Sequence, residues 1–271
     1  MKLSFTTLGC PDWPLEQIVE RAAEYGFDAI DFRGMAGELN IYELPEFSDR
    51  LAHTRKLIGD AGLQISCFSS SVQLFSRERF ESHLHEISAY ARLCEQFDTR
   101  YIRVFGGGIG HTQRESAIQT VVHHVNEMAK IVKPAGVKLL IETHDDWIAC
   151  EELKAVMEQV DAKAVGVLWD VHHPYRMLGE QPEATWEALG KWIEYTHVKD
   201  SREGSGPGDY QYRLTGQGDI PLDRIYSLLR SKGYQGYYTL EWEKKWHPEL
   251  EEPEIVFPQY VEYMRKLAQE A

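Results

Sequence analysis

Eight times along its length the sequence passes from a short apolar run to a longer stretch with apolar residues three and four positions apart. LSFTTLG (3–9) precedes PLEQIVERAAEYG (14–26), which Pro14 opens and Gly26 stops. FDAIDFRG (27–34) precedes a helical pattern over 48–61, LQISCFSS (63–70) one over 79–97, and TRYIRVFGGG (99–108) one over 112–133. VKLLIETH (137–144) is followed by 150–160, AVGVLWDVHH (164–173) by 183–191, WIEYTHVKD (192–200) by 221–233, and GYYTLEWE (236–243) by 254–270. Parallel strands need a crossover between them, and alternation of this kind supplies it with a helix. Eight units predict an α/β fold of the closed (β/α)8 type, one barrel domain over residues 1–271. The length and the 43% apolar content suit a core of that size. No GxGxxG follows the first strand, which counts against a dinucleotide-binding sheet. The longest connection, SREGSGPGDYQYRLTGQGDI (201–220), is expected to be a functional or mobile loop.

The net charge of −14 and the lack of a Lys/Arg block argue against nucleic acid as a partner. Cys10, Cys67, Cys94 and Cys150 form no CxxC pair and are expected to be free thiols in a reducing compartment. No apolar span of about 18 residues occurs and MKLSFTTLGC lacks a run of signal-peptide length, so a soluble, cytoplasmic chain with no membrane partner is expected.

The last four predicted strands end in LLIETH, VLWDVHH, YTHVKD and TLEWE. A buried carboxylate at a strand tip needs a cation, a proton or strong donors. In a closed barrel these tips share one rim, which would bring Glu142, Asp170, His197 and Glu241 together. Singly, each has an ordinary structural reading: a carboxylate capping a helix, Asp170 pairing with His172 or His173, His197 satisfied in the core. Jointly they are expected to hold one divalent ion, manganese first, with magnesium, cobalt or zinc as alternatives.

This set resembles the xylose-isomerase-like TIM-barrel superfamily of sugar isomerases and epimerases, over nearly the whole chain. Members place Glu, Asp, His and Glu on strands five to eight around one divalent ion, the order found here. His173 follows Asp170 by three residues, resembling DxxH of ketose 3-epimerases. HVKDSR, with Lys199 and Arg202, resembles HxKDxR of inosose-dehydratase-like members.

A carbonyl and a neighbouring hydroxyl on such an ion acidify the C–H between them and stabilise an enediolate. Glu142 and Glu241 are the expected acid/base pair, removing and returning a proton beside the carbonyl of a ketose, keto-sugar or related polyol. His173 is expected to bond a substrate hydroxyl or to support Asp170. Lys199 and Arg202 are expected to stabilise developing negative charge, with a Lys199 salt bridge to Asp200 or Glu142 as the structural alternative. Trp13, Phe105 and Trp246 are assigned to substrate binding, since flat rings stack on the apolar faces of sugars, and His144, one alternation from Glu142, either points into the mouth towards substrate or has a structural role. Trp246 and Phe257, large apolar groups among charges, could instead cover a neighbouring subunit of a homo-oligomer. GQGDIPL (216–222) has the look of a phosphate cradle, but Asp219 is expected to cap the following helix, favouring unphosphorylated sugars. The main rival is a dehydratase acting on a keto-inositol or keto-sugar with the same metal site. Weaker rivals are an abasic-site endonuclease, whose extra strand-end histidines are missing, and a non-catalytic sugar-binding barrel.

Overall fold

The computed structural model describes residues 1–206 and 208–270. Its strands are β1 (Lys2–Thr6), β2 (Ala29–Phe32), β3 (Gln64–Gln73), β4 (Tyr101–Phe105), β5 (Lys138–Glu142), β6 (Val165–Asp170), β7 (Ile193–Val198), β8 (Asp200–Glu203), β9 (Tyr210–Arg213) and β10 (Tyr237–Leu240). Its helices are α1 (Leu15–Tyr25), α2 (Leu51–Asp60), α3 (Phe80–Phe97), α4 (Arg114–Val132), α5 (Cys150–Met157), α6 (His173–Leu178), α7 (Pro182–Leu189), α8 (Leu222–Ser231) and α9 (Pro253–Glu270). All strands except β8 and β9 close into a parallel barrel in the order β1-β10-β7-β6-β5-β4-β3-β2. Every strand and helix expected from the apolar pattern occurs. Most strand ends are trimmed where glycine or polar residues take the chain into loops. By contacts the chain divides into two compact units, Met1–Ser66 with Thr196–Ala271, and Cys67–Tyr195.

In the first unit β1 lies between β2 and β10, with Phe5 in register with Ile30 on one side and Leu240 on the other. Helix α1 buries Leu15, Ile18, Val19 and Ala22, a stripe at helical spacing, and stops at Gly26 in the left-handed conformation. Each fully buried aliphatic side chain of this kind stabilises by about 1.5–3 kcal/mol. Helix α9 presents Val256, Phe257, Tyr260 and Met264 inward. Phe257 stacks obliquely on Phe5 at 4.4 Å and meets Trp13 edge-on at 5.7 Å. The expectation that Phe257 faces a neighbouring subunit is therefore corrected: it lies on the buried stripe of α9. Trp246 is 51% exposed.

In the second unit β4 lies between β3 and β5, with Arg103 opposite Leu140, and Leu140 opposite Gly166 of β6. Strand β3 is the longest, and its register against β4 shifts between Ser69 and Gln73. Only glycine fits at position 106, where a Cβ would stand 2.0 Å from the Trp147 ring. That close approach lets Trp147 Nε1 donate to the Gly107 carbonyl at 2.8 Å and locks the end of β4 to the segment after β5.

Segment 201–220, expected to be a loop, carries an antiparallel hairpin in which Asp200 pairs with Arg213 and Glu203 with Tyr210. The GQGDIPL turn closes around Asp200. One carboxylate oxygen accepts the Gly216 and Gly218 amides at 2.9 Å each, the other the Ser201 amide at 2.8 Å and the Ile220 amide at 3.3 Å. Burial raises the Asp200 carboxyl above its ordinary pKa, against the pull of those four amides. The cap expected of Asp219 is not made. Helix α8 starts at Leu222, so its cap position falls on Pro221, and Asp219 instead accepts the Glu203 amide at 3.0 Å.

Candidate metal centre

Glu142 closes β5 and is fully buried. A charge within a strand that seeks the interior needs compensation, and in the second unit Arg103 of β4 supplies it, with Nε 3.3 Å from Glu142 Oε2. The guanidinium also donates through Nη1 to the Ser70 carbonyl at 3.0 Å, and its carbon lies 3.8 Å from the centroid of Phe105. Asp170 closes β6. Its Oδ1 accepts the main-chain amides of His172 at 2.8 Å and His173 at 2.9 Å, while its own amide donates to Thr143 Oγ1 at 2.9 Å. His173 Nδ1 stands 3.1 Å from the Thr143 carbonyl, which can only accept, so Nδ1 is the donor of that bond. His144 lies edge-on to His173 at 4.7 Å, tilts against Phe105 at 4.6 Å, and has Nδ1 2.9 Å from Asp145 Oδ1.

In the first unit His197 of β7 is buried between two carboxylates. Nε2 lies 3.2 Å from Asp31 Oδ2 and Nδ1 lies 3.2 Å from Glu241 Oε1. Lys199, also buried, donates to Glu241 Oε2 at 2.5 Å and to Glu243 Oε1 at 2.9 Å. Of the salt bridges weighed as an alternative for Lys199, the one to Asp200 is not made, because both Asp200 oxygens are turned to main-chain amides and Lys199 donates to Glu241 and Glu243. Tyr212 of β9 is buried nearby. Desolvation pushes its hydroxyl well above the ordinary range, with the Lys199 charge pulling the other way. Arg202 is exposed on β8 and donates to the Gln217 carbonyl at 3.0 Å. Trp13 is buried against Phe257.

Glu142, Asp170, His197 and Glu241 each offer one ligand atom, and these four atoms lie within 4.8 Å of one another. Asp170, His172 and His173 make a second group this close, sharing Asp170. The three buried carboxylates carry one negative charge more than Arg103 and Lys199 offset, and as oxygen-rich donors with one imidazole nitrogen the four fit a divalent ion. Asp31 and Arg103 escaped sequence reasoning. The signal was there: each is a charged residue inside a strand otherwise built of apolar and aromatic residues, Asp31 in AIDF and Arg103 in YIRVF.

Residues 19–267 match the family model described as xylose isomerase-like TIM barrel. The chain is 21% identical to a fructoselysine 3-epimerase of Escherichia coli O157:H7, with 100% of this chain and 99% of that protein covered. It is 29% identical to an inosose dehydratase of Yersinia enterocolitica over 46% of this chain and 48% of that protein. Its fold matches the crystal structure of the IOLI protein with a binding zinc atom at a TM-score of 0.79 and 20% identity, covering 100% of this chain and 97% of that one. Among the described residues no helix is long and apolar enough to cross a membrane.

Proposed function

The chain belongs to the xylose isomerase-like TIM barrel family, and from that premise we propose that it is a divalent-metal-dependent sugar epimerase or isomerase. It acts by proton transfer beside the carbonyl of a ketose, keto-sugar or related polyol. The observation that carries this reading is the buried grouping of Glu142, Asp170, His197 and Glu241. These four would hold the ion, with manganese preferred for so oxygen-rich a set and magnesium, cobalt or zinc as alternatives. When bound, the ion polarises substrate oxygens and acidifies the C–H beside the carbonyl.

The chain's own residues do the rest. Asp31 accepts the Nε2 proton of His197, which fixes the ring so that Nδ1 is the ligand atom on the Glu241 side. Two main-chain amides hold Asp170 in one rotamer. Arg103 grips one oxygen of Glu142 and Lys199 one oxygen of Glu241. Glu142 and Glu241 are then the acid/base pair, one removing and one returning a proton. His173 offers Nε2 to a substrate hydroxyl. Lys199 stabilises negative charge as it develops, and Arg202 adds to it when a substrate draws it from Gln217. His144 and Phe105 flank the substrate, with the exposed Trp246 as an outer aromatic contact, while Trp13, packed on Phe257, supports the wall from behind. We extend the reading to one barrel domain over 1–271, to a cytoplasmic location on the strength of four free thiols, and to a homo-oligomer contact at the exposed Trp246.

The test is solvent deuterium incorporation next to the carbonyl, across ketoses, keto-sugars and keto-inositols with added manganese. Incorporation should occur in the parent chain and be lost in Glu142→Gln and Glu241→Gln; survival in both variants would refute the acid/base assignment. A dehydratase reading is favoured by the similarity to inosose dehydratases and by HVKDSR. Product mass separates the two, since dehydration removes water and gives an ultraviolet-absorbing enone.

A further inference from the structure

The second unit contains a cleft of about 510 Å³ lined by Gln73, Phe75, Arg77, Gly107, Thr112 and Ser116, together with Ser76, Glu78 and Gly108. None of these residues belongs to the metal quartet. We propose that this cleft binds a second, uncharged polyhydroxylated ring of the substrate, so that the natural substrate is a glycoside or disaccharide-sized keto-sugar. The proposal rests on the proton-transfer reading above and names the substrate class for it.

The cleft has the chemistry of a sugar site. Its volume lies within the roughly 300–1,000 Å³ of small-molecule pockets. Phe75 contributes a half-buried ring suited to the apolar face of a pyranose. Gln73, Ser76, Thr112 and Ser116 contribute an amide and three hydroxyls, which both donate and accept. Arg77 and Glu78 bring one charge of each sign to the lining, so the cleft carries no net charge to favour an anionic ligand such as a phosphate.

The walls are set in advance. The register shift in β3 carries the strand on to Gln73, and the chain beyond it is pinned to β4, Leu74 N–H to the Phe105 carbonyl and Phe75 N–H to the Gly106 carbonyl, 2.9 Å each. Gly107, at φ +86°, passes so near Gln73 that a Cβ there would lie 3.1 Å from the Gln73 Cβ. Arg77 donates to Thr120 Oγ1 on α4 at 2.8 Å, so its side chain is placed before a ligand arrives. A run of contacts links the cleft wall to Glu142. Phe105, opposite Gln73 in the ladder, covers the Arg103 guanidinium that holds Glu142.

Calorimetric binding to the manganese-supplemented full chain compares isomaltulose, a glucosyl-fructose, with fructose. The expected result is at least tenfold tighter binding of isomaltulose. That ratio should fall to near one in Ser116→Trp and in Gly108→Phe, both at exposed positions, the latter with only Asp146 Oδ2 within reach of a new Cβ. A ratio near one in the parent chain, or a ratio unchanged in both folded variants, overturns the cleft assignment. Deuterium incorporation with a ratio near one sinks the cleft alone. A tenfold ratio lost in the variants, without incorporation into any sugar, upholds the cleft and sinks the reaction.

Discussion

Replacing Arg103 by methionine removes the positive member of a pair whose side chains are 1% and 0% exposed, and leaves Glu142 to face the interior without it. At 3.3 Å and an effective dielectric of about 20, the attraction lost is about 5 kcal/mol. The Ser70 carbonyl also loses its donor, worth about 1–3 kcal/mol when buried. Relief of the cost of burying the guanidinium offsets part of this, so the net destabilisation expected is about 3–5 kcal/mol. Urea unfolding in the presence of a chelator measures it, since an added ion would compensate Glu142 and mask the loss. The double variant Arg103→Met, Glu142→Gln has no stranded charge and should be less destabilised than the two single variants together by at least about 2 kcal/mol. A cost below about 1 kcal/mol for Arg103→Met, or additive single effects, would show that the pair does not hold Glu142 in place.

Stripping divalent ions should lower the melting temperature, because the quartet loses its counter-charge. Restoring manganese to about a hundredfold over its dissociation constant should return about 2.7 kcal/mol, or roughly 5–10 °C for a chain of this size, and no shift would argue against a metal centre. His83 is buried, and burial together with the charges of Arg79 and His124 lowers its pKa to about 4. The unfolded chain therefore takes up this proton first, so the stability that neutral His83 confers is complete above about pH 6.5 and is lost as pH falls towards 4, about 3 kcal/mol in all. Unfolding measured across that window should show a shallower acid slope in His83→Leu, and an unchanged slope would contradict the assignment. Asp200→Ala removes the acceptor of four amides, of which those of Ser201 and Ile220 are buried, and should cost about 2–4 kcal/mol while raising hydrogen exchange at Gly216, Gly218 and Ile220, and retained protection there would count against the cradle.

The barrel was legible because its evidence is periodic. Runs such as VKLLIE and GVLWD are too apolar to be anything but buried strands, and α1 and α8 carry their buried residues at helical spacing. The hairpin was not, because β8 and β9 are four residues each, polar, and embedded among glycines that read as loop. The quartet could be read from position alone, each member lying at or next to the end of a strand. Its supports could not, since what neutralises Glu142 or orients His197 depends on which strands become neighbours. Arg103 illustrates the point: a charge in mid-strand declares that a partner exists, and only the β4–β5 register names Glu142. Lys199 shows the reverse, a cation offered an adjacent acid in sequence that reaches across to Glu241 and Glu243 in the segment after β10, because alternation turns Asp200 to the other face.

The way the glycine turn wraps Asp200 has a consequence for how this chain can change. Four amides converge on one side chain, so the stretch that looks most pliable on paper is tethered at its centre. A methyl group at Gly218 would sit 2.0 Å from the Asp200 carboxylate, so even alanine is excluded there, whereas the neighbouring exposed Gln217 contributes only main-chain atoms to the bonds described above. The anion that such a turn would otherwise collect from solution is one the polypeptide already carries.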